Sequence, residues 1–203
     1  MKLISTKGDM MVNKRTQHKE QRRIDILEAG LDLFIRKGYG STKIADIAKK
    51  ANMSMGLLFH YFESKEKLYE ELIKIGCAGT ELNLEDIDGS PIHIFKAVAA
   101  EILNNIKQNP MSAKMFVLME HAQNNDSIPD VTKEMVARID IIKRSISLIE
   151  EGQKIGEIRN GNAWALSTAF WCSIQGIAEE IALHPDTPCP EPDWLVDILK
   201  SKE

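Results

Sequence analysis

The sequence predicts an all-α protein, in which a three-helix helix-turn-helix domain precedes a larger helical domain, with about nine helices in all. Apolar residues recur at intervals of three and four along nearly every segment, as they do on one face of a helix. No run of alternating apolar and polar residues is long enough to indicate a strand. Two short helical patterns separated by a polar break lie in the first third of the chain. These observations divide the chain into a basic N-terminal arm (residues 1–20), a helix-turn-helix domain (21–67) and a helical domain (68–203).

The first helix is predicted at residues 21–37, because an apolar stripe advances along it by three and four residues. Gly38 is expected to end this helix, since glycine commonly follows the last helical residue. Thr42 is predicted to cap a second helix of about two to three turns. The stripe of the first helix consists of Ile24, Leu27, Leu31 and Phe34, and that of the second of Ile44, Ile47, Ala48 and Ala51.

A tight turn is predicted after the second helix. Asn52 stands where the chain has to reverse, and Asn is the non-glycine residue that best tolerates a left-handed conformation. Ser54 is predicted to cap a third helix at residues 55–62, and Ser64 a fourth helix with Glu66 in its first turn. Two short helices joined by such a turn and packed against a longer first helix form a helix-turn-helix.

The third helix is predicted to have a core face and an outer face. Leu58 and Phe62 are four residues apart and are expected to face the first helix. The residues left on the outer side are Ser54, Met55, Gly56, Phe59 and His60. Gly56 lowers helix stability by about 1 kcal/mol relative to alanine, which favours a role in which another backbone comes close.

Prolines and glycines mark the later helix boundaries. The fourth helix is expected to reach about residue 78, and a linker rich in Gly and Asp follows at residues 83–90. Asn162 is predicted to cap a helix that reaches about residue 183. The other predicted helices are residues 91–109, 111–123, 129–154 and 193–201.

The charge is distributed unevenly along the chain. The net charge is −4, yet residues 1–67 carry 14 Lys and Arg against 8 Asp and Glu, a net of +6. Residues 68–203 carry 12 Lys and Arg against 22 Asp and Glu, a net of −10. A basic first third on an acidic body indicates that the two parts have different partners.

Several classes of protein are disfavoured. The three cysteines form no CxxC pair and the histidines share no metal-ligand spacing, so neither a disulfide framework nor a metal site is expected. No GxSxG, P-loop or GxGxxG motif occurs, so we expect no catalytic residues, no cofactor and no enzymatic activity. The most apolar segment, residues 163–178, is shorter than the roughly 20 residues that span a membrane. The sequence thus predicts a cytoplasmic protein with no membrane partner.

The segment GYGSTKIADIAKKANMSMGLLFHYFESKEKL (residues 38–68) is similar to the N-terminal domain of TetR-family transcriptional regulators. The preceding ILEAGLDLFIRKGY extends the similarity, which covers residues 24–72, whereas the remainder matches only in its layout of long helices. The resemblance implies a repressor that binds a palindromic operator in double-stranded DNA as a homodimer and is released by a small lipophilic effector. An activator, and a DNA-anchored adaptor whose C-terminal domain binds another protein, remain open.

The resemblance also implies which residues bind DNA. Thr42 matches the family's helix-two cap and phosphate contact, and Lys65 matches its phosphate-binding lysine. Residues 54–56 begin the recognition helix, and residues 59–61 match an aromatic cluster. The full set is Thr42, Lys43, Ser54, Met55, Gly56, Phe59, His60, Tyr61 and Lys65, to which the basic leader KRTQHKEQRR (residues 14–23) adds Arg22 and Arg23.

Three positions depart from the family pattern. Phe59 stands where the family usually has Tyr, so a phosphate-contacting hydroxyl is missing. Met55 stands where many members have Lys, so a contact is lost or becomes apolar, for example to a thymine methyl group. Asn52 replaces the usual turn glycine, which its tolerance of the left-handed conformation allows.

The helical body is predicted to bind the effector and a second subunit. A methionine-rich stripe on the sixth helix suits an adaptable apolar pocket, and it suits an ordinary core as well. The candidate effector-binding residues are Met111, Met115, Phe116, Met119, Met135, Trp164, Thr168 and Trp171. The predicted dimer interface, in which two helices of each chain meet across a two-fold axis, consists of Trp171, Ile174, Ile177, Ala178, Ile181 and Trp194.

Overall fold

The computed structural model describes residues 7–80 and 84–201, with side chains for residues 16–79, 84 and 86–201. All regular elements in these residues are helices, which confirms the predicted all-α class. One isolated antiparallel bridge joins Ile158 to Lys200. The helices are α1 (Lys7–Ser41), α2 (Ile44–Lys50), α3 (Met55–Tyr61), α4 (Lys65–Thr80), α5 (Pro91–Gln108), α6 (Pro110–Gln123), α7 (Asp130–Val136), α8 (Ile141–Arg144), α9 (Ile146–Lys154), α10 (Ala163–Leu183) and α11 (Pro192–Val196).

The chain divides into two compact units, and the boundary lies between Leu72 and Ile73, inside α4. The first unit contains α1, α2, α3 and the beginning of α4. The second unit contains the end of α4, a short 3₁₀ turn at Leu84–Asp86, and the remaining helices. The sequence placed the boundary between residues 67 and 68.

The core of the first unit lies between α1, α2, α3 and the start of α4. Phe34 and Tyr69 meet edge to face, with ring centroids 4.9 Å apart. A Cβ atom at Gly30 would lie 2.6 Å from Leu68 Cδ2, so the glycine lets α1 and α4 approach closely. The most deeply buried side chains are Ile26, Leu31, Phe34, Ile47, Leu58, Leu68, Tyr69 and Leu72.

The first helix is longer than predicted, because it begins at Lys7 and not near residue 21. Residues 7–20 of the predicted arm are therefore helical, and residues 1–6 lie outside the described residues. No proline interrupts this segment, and Lys, Arg, Gln and Glu lose little side-chain freedom in a helix. The predicted end at Gly38 is confirmed, since its φ of 75° and ψ of 162° are not helical.

The core of the second unit is centred on α10, which packs against α6, α8 and α9. Phe95 of α5 and Phe170 of α10 meet edge to face at 5.0 Å between ring centroids. The predicted cap of α10 is confirmed, because the Asn162 side chain accepts a hydrogen bond from the Ala165 N–H at 2.9 Å. α5 and α6 each begin with a proline, where the missing N–H has no helical partner to lose.

The predicted single helix at residues 129–154 is wrong, since this segment forms α7, α8 and α9. Asp140 starts a new helix inside it, because its carboxylate accepts a hydrogen bond from the Lys143 N–H at 2.9 Å. The apolar side chain of Val131, near the start of this segment, is exposed. A cap inside the segment thus interrupts a sequence whose apolar residues keep helical spacing throughout. The nine predicted helices become eleven helical segments in the described residues.

The last helix is shorter than predicted, because α11 ends at Val196 and the prediction extended to residue 201. The Arg159 N–H donates to the Leu199 carbonyl at 2.8 Å, and the Ser201 N–H donates to the Glu157 carbonyl at 3.0 Å. The Arg159 guanidinium also donates to the carbonyls of Asp197 and Lys200. These long-range bonds satisfy backbone groups that a continued helix would have used.

Candidate nucleic-acid interface

The turn between α2 and α3 has the geometry that its sequence predicts. Asn52 has a φ of 53°, which confirms the left-handed conformation. The Met53 N–H donates to the Ala48 carbonyl at 2.9 Å and closes the turn. The predicted cap of α3 is confirmed as well, because the Ser54 hydroxyl accepts a hydrogen bond from the Leu57 N–H at 3.2 Å.

The core face of α3 is the predicted one. Leu58 and Phe62 are buried in the first unit. On the outer side, Ser54, Gly56 and His60 are exposed, and Tyr61 is half-buried with its ring edge-on to that of His60.

Three apolar side chains of α3 also face outward. Met55 is 36% exposed, Leu57 39% and Phe59 44%. Phe59 is therefore not a core residue. Leu57 was missing from the predicted outer side, although it lies about 100° around the helix from the buried Leu58. Its position beside the outward-facing Gly56 was the signal available in the sequence.

Thr42 does not belong to this exposed surface. Its side chain is 1% exposed, and its hydroxyl donates to the carbonyls of Gly38 at 2.8 Å and Leu33 at 3.2 Å. The residue at the N-cap of α2 is Lys43, so the predicted capping role of Thr42 is wrong. The hydroxyl instead stabilises the end of α1, and it is not available to a phosphate.

Lys65 is held by Tyr39, the residue that follows the glycine at the end of α1. The Lys65 ammonium donates to the Tyr39 carbonyl at 3.0 Å and lies 4.1 Å from the centroid of the Tyr39 ring. The Tyr39 hydroxyl donates to the Glu66 carboxylate at 3.0 Å. Burial, followed by this hydrogen bond, raises the pKa of Tyr39. Hydrogen bonds from its own backbone N–H and from Ser64 lower the pKa of Glu66.

The two arginines of the leader differ in their surroundings. The Arg23 guanidinium pairs with the Glu71 carboxylate, lies 4.0 Å from that of Glu20, and stacks 5.6 Å from the centroid of the Phe62 ring. It therefore joins α1 to α4 within the first unit, and the prediction that it is free for DNA does not fit this geometry. Arg22 and Lys43 are exposed.

The candidate effector residues differ in how far they are exposed. Met111, Met115, Phe116 and Met135 are half-buried, whereas Trp164 is 51% exposed. The Thr168 hydroxyl donates to the Trp164 carbonyl at 2.9 Å. A groove of about 470 Å³ lies elsewhere in the second unit, lined by Leu84, Lys143, Arg144, Ile146, Ser147 and Glu150.

Methionines of α6 pack tightly against α4. A Cβ atom at Gly76 would lie 2.3 Å from the Met119 sulfur and 3.3 Å from the Met115 sulfur. Met119 is buried. The glycine is thus what allows these two thioethers to lie against α4.

The predicted dimer interface is partly wrong, because half of its residues point into the chain's own core. Trp171, Ile174 and Ala178 are buried within the second unit. Ile177 and Ile181 are half-buried, and Trp194 is 66% exposed. The exposed residues of α10 are Trp164, Ala165, Ala169, Cys172, Gly176, Glu179, Glu180 and Leu183. α10 is apolar almost all round, so its sequence period does not identify the buried side.

Metal-binding clusters and membrane-spanning helices are both absent from the described part of the chain. No group of three or more His, Cys, Asp and Glu side chains there is placed to hold a metal ion. None of its helices is both long enough and apolar enough to cross a membrane.

The chain is similar to known transcriptional regulators. Residues 26–72 match the family model for bacterial regulatory proteins of the tetR family. The chain is 32% identical over 192 residues to the helix-turn-helix transcriptional regulator YfiR of Bacillus subtilis (strain 168), covering 91% of each protein. It is 26% identical over 170 residues to the helix-turn-helix transcriptional regulator RutR of Escherichia coli (strain K12), covering 82% of this chain and 78% of that protein.

Solved structures have the same fold. The crystal structure of the MbdR regulator from Azoarcus sp. CIB aligns with a TM-score of 0.69 and 18% identity, covering 90% of this chain and 99% of that one. An HlyIIR mutant with residues 170–185 substituted by alanine aligns with a TM-score of 0.68 and 23% identity, covering 90% and 97%.

Proposed function

Since the chain belongs to the TetR family of bacterial helix-turn-helix transcriptional regulators, we propose that it is a repressor that binds a palindromic operator as a homodimer. A small lipophilic effector binds to the second unit and favours a state that releases the DNA. Because the coupling is reciprocal, DNA weakens effector binding by the same factor.

The observation that carries the proposal is the exposed face of α3. The helix is fixed from behind by Leu58 and Phe62, while Ser54, Met55, Gly56 and His60 remain open on the other side. A short helix anchored in this way behind a tight turn is the element that enters the major groove in helix-turn-helix proteins.

Basic residues around α3 are proposed to hold phosphates. Lys43 and Arg22 are exposed. Lys65 uses one donor on the Tyr39 carbonyl, and an ammonium has three donors, so it retains donors for a phosphate. Phe59 and Tyr61 lie one turn further along α3 and are proposed to contact the sugar–phosphate backbone. Thr42 and Arg23 are not proposed as phosphate contacts, because their polar groups bond to other residues of the first unit.

The second unit supports an effector role through its methionines. Met111, Met115 and Phe116 are half-buried on α6, the helix that packs on α10. Methionine is flexible and polarizable, so such a contact region can rearrange around an apolar ligand. A screen of lipophilic compounds by thermal shift tests this role, since a ligand at 100 times its dissociation constant stabilises the protein by about 2.7 kcal/mol.

The proposal is tested by measuring DNA binding at several salt concentrations. The probe is a labelled duplex from the region upstream of the chain's own gene, and fluorescence anisotropy gives the affinity. Three basic residues in each protomer (Arg22, Lys43 and Lys65) make six phosphate contacts in a dimer, so we expect a log–log slope of about −5.

Lysine variants provide the control for this measurement. Lys43→Ala should make the slope less steep by about 2, since it removes one contact from each protomer. Lys154→Ala, which removes an exposed lysine of α9, should leave the slope unchanged. A flat slope for the unaltered protein, or no binding to the duplex, would contradict the proposed function.

A further inference from the structure

The first turn of α3 presents an apolar surface with a gap in its middle. Met55, Gly56 and Leu57 are the first three residues of the helix. Successive residues are about 100° apart around a helix, so Met55 and Leu57 stand on either side of Gly56. Both side chains are exposed, and apart from the two chain neighbours and the backbone of α3, no atom lies within 4 Å of where a Gly56 Cβ would stand.

The chemistry of this surface limits which base edges it suits. Leucine has no hydrogen-bonding group, and the methionine thioether is only a weak acceptor. Neither side chain can therefore satisfy the donors and acceptors that distinguish guanine, cytosine and adenine in the major groove. Among the four bases, the apolar group that faces the major groove is the C5 methyl of thymine.

We propose that Met55 and Leu57 select thymine, by packing against its C5 methyl group while Gly56 lets the backbone of α3 come close to the base. This inference rests on the proposed function, because it requires α3 to enter a major groove. It adds the chemical class of the bases that the site reads. Residues near the start of a recognition helix are those that reach base edges.

The size of the effect follows from burying one methyl group. Burying one CH₂-sized group changes the affinity roughly fourfold. A palindromic site has two half-sites, so one methyl contact in each should give about a fifteenfold change for the dimer.

The experiment uses the unaltered full-length chain and DNA that the chain selects itself. Duplexes are enriched from a random-sequence library, and the enriched sequence is then made with 2′-deoxyuridine in place of individual thymidines. Uracil pairs like thymine and lacks only the methyl group. We expect thymine in both half-sites, and a loss of affinity of about fourfold for uracil at one such position and about fifteenfold at both.

Two DNA controls separate a methyl contact from a change in DNA stiffness. Uracil at thymines outside the enriched motif should leave the affinity unchanged. Bromine is similar in size to a methyl group, so 5-bromouracil inside the motif should restore the affinity. If 5-bromouracil fails to restore it, the methyl contact is excluded.

Protein variants assign the contact to particular side chains. Met55→Ala or Leu57→Ala should reduce the ratio of thymine to uracil affinity from about fourfold toward one, at the position that each side chain touches. Val131→Ala truncates an exposed apolar side chain of α7 and should leave the ratio unchanged. An unchanged ratio in both Met55→Ala and Leu57→Ala would overturn the assignment.

The outcomes distinguish this inference from the function on which it rests. Equal affinity for the thymine and uracil duplexes, or an enriched motif without thymine in its half-sites, overturns the inference and leaves DNA binding intact. Failure to enrich any duplex overturns the proposed function itself.

Discussion

At the scale of single residues, Tyr39 connects the end of α1 to the start of α4. Its ring lies 4.7 Å from that of Tyr69 and 5.9 Å from that of Phe34, measured between centroids. Its hydroxyl donates to Glu66, and its carbonyl accepts from Lys65. Because Lys65 is a proposed phosphate contact, Tyr39 positions a residue of the proposed DNA-binding surface.

The Tyr39 hydroxyl gives a prediction with a pH dependence. Tyr39→Phe should lower the free energy of unfolding of the first unit by about 1 kcal/mol at pH 7, measured by hydrogen exchange of α1–α4. The pKa of Glu66 is lowered in the folded state, so its stabilising contribution is present above the ordinary value of 4.5 and is lost as the pH falls through the folded value. The effect of Tyr39→Phe should therefore shrink as the pH falls below 4.5.

Glu66→Gln serves as the partner variant for this prediction. In the double variant the two losses should be less than additive, because the neutral glutamine carbonyl accepts a weaker hydrogen bond than the carboxylate and both changes act on that one hydrogen bond. An effect of Tyr39→Phe that stays constant down to pH 3 would show that the carboxylate is not its partner.

At the scale of helices, the break between α8 and α9 is fixed by α10. The Trp171 indole N–H donates to the Ser145 hydroxyl at 2.9 Å, and that hydroxyl donates to the Ile141 carbonyl at 2.8 Å. The Ser167 hydroxyl of α10 donates to the Ile142 carbonyl at 2.8 Å. Ser167 thus bonds to the backbone of α8 directly, and Trp171 does so through Ser145. The sequence predicted that this segment is part of one long helix.

Ser145→Ala tests this connection. The variant leaves the buried Trp171 N–H without an acceptor, so the free energy of unfolding of the second unit should fall by about 1–3 kcal/mol. Urea unfolding followed by tryptophan fluorescence reports on this unit, because all three tryptophans lie in it.

The matched control is Ser147→Ala, which removes an exposed hydroxyl from α9 and should change stability by less than about 0.5 kcal/mol. Trp171→Phe combined with Ser145→Ala should cost less than the sum of the two single changes, since donor and acceptor are then both absent. Strict additivity would mean that the hydrogen bond contributes nothing.

At the scale of the whole molecule, the proposed dimer needs a surface that the chain does not use itself. The outer side of α10 offers small residues at Ala165, Ala169 and Gly176, with the exposed Leu183 at its end. Small residues allow two helices to approach closely. We propose this side, together with Ile177, Ile181 and Trp194, as the dimer interface in place of the one that the sequence predicted.

A charge on that surface should separate the subunits. We expect the unaltered chain to sediment as a dimer and Leu183→Glu to sediment as a folded monomer, because two carboxylates near a two-fold axis would be buried or repel. The control variant for Leu183→Glu is Ile174→Ala. Because Ile174 is buried in its own subunit, this change should lower the free energy of unfolding of the second unit by about 2–5 kcal/mol. A dimer that persists in Leu183→Glu would place the interface elsewhere.

Local signals made much of the first unit predictable. The serine cap of α3, the left-handed Asn52 and the break at Gly38 each depend on atoms within a few residues along the chain. The outer face of α3 followed from the same local pattern, except for Leu57. Arg23 was misjudged because its partner Glu71 is distant in sequence. Thr42 was misjudged because its hydroxyl bonds back to the carbonyls of Gly38 and Leu33 in α1 and does not cap α2.

The sequence by itself determined the all-α class, the helix-turn-helix and most helix ends, because caps, turns and apolar periods act over a few residues. Only the tertiary structure decided the break between α8 and α9, which side of α10 is buried, and which basic side chains of the first unit remain exposed. Each of these depends on a partner far away in the chain. A helix that is apolar nearly all round fits more than one neighbour, and packing alone selects the side that it buries.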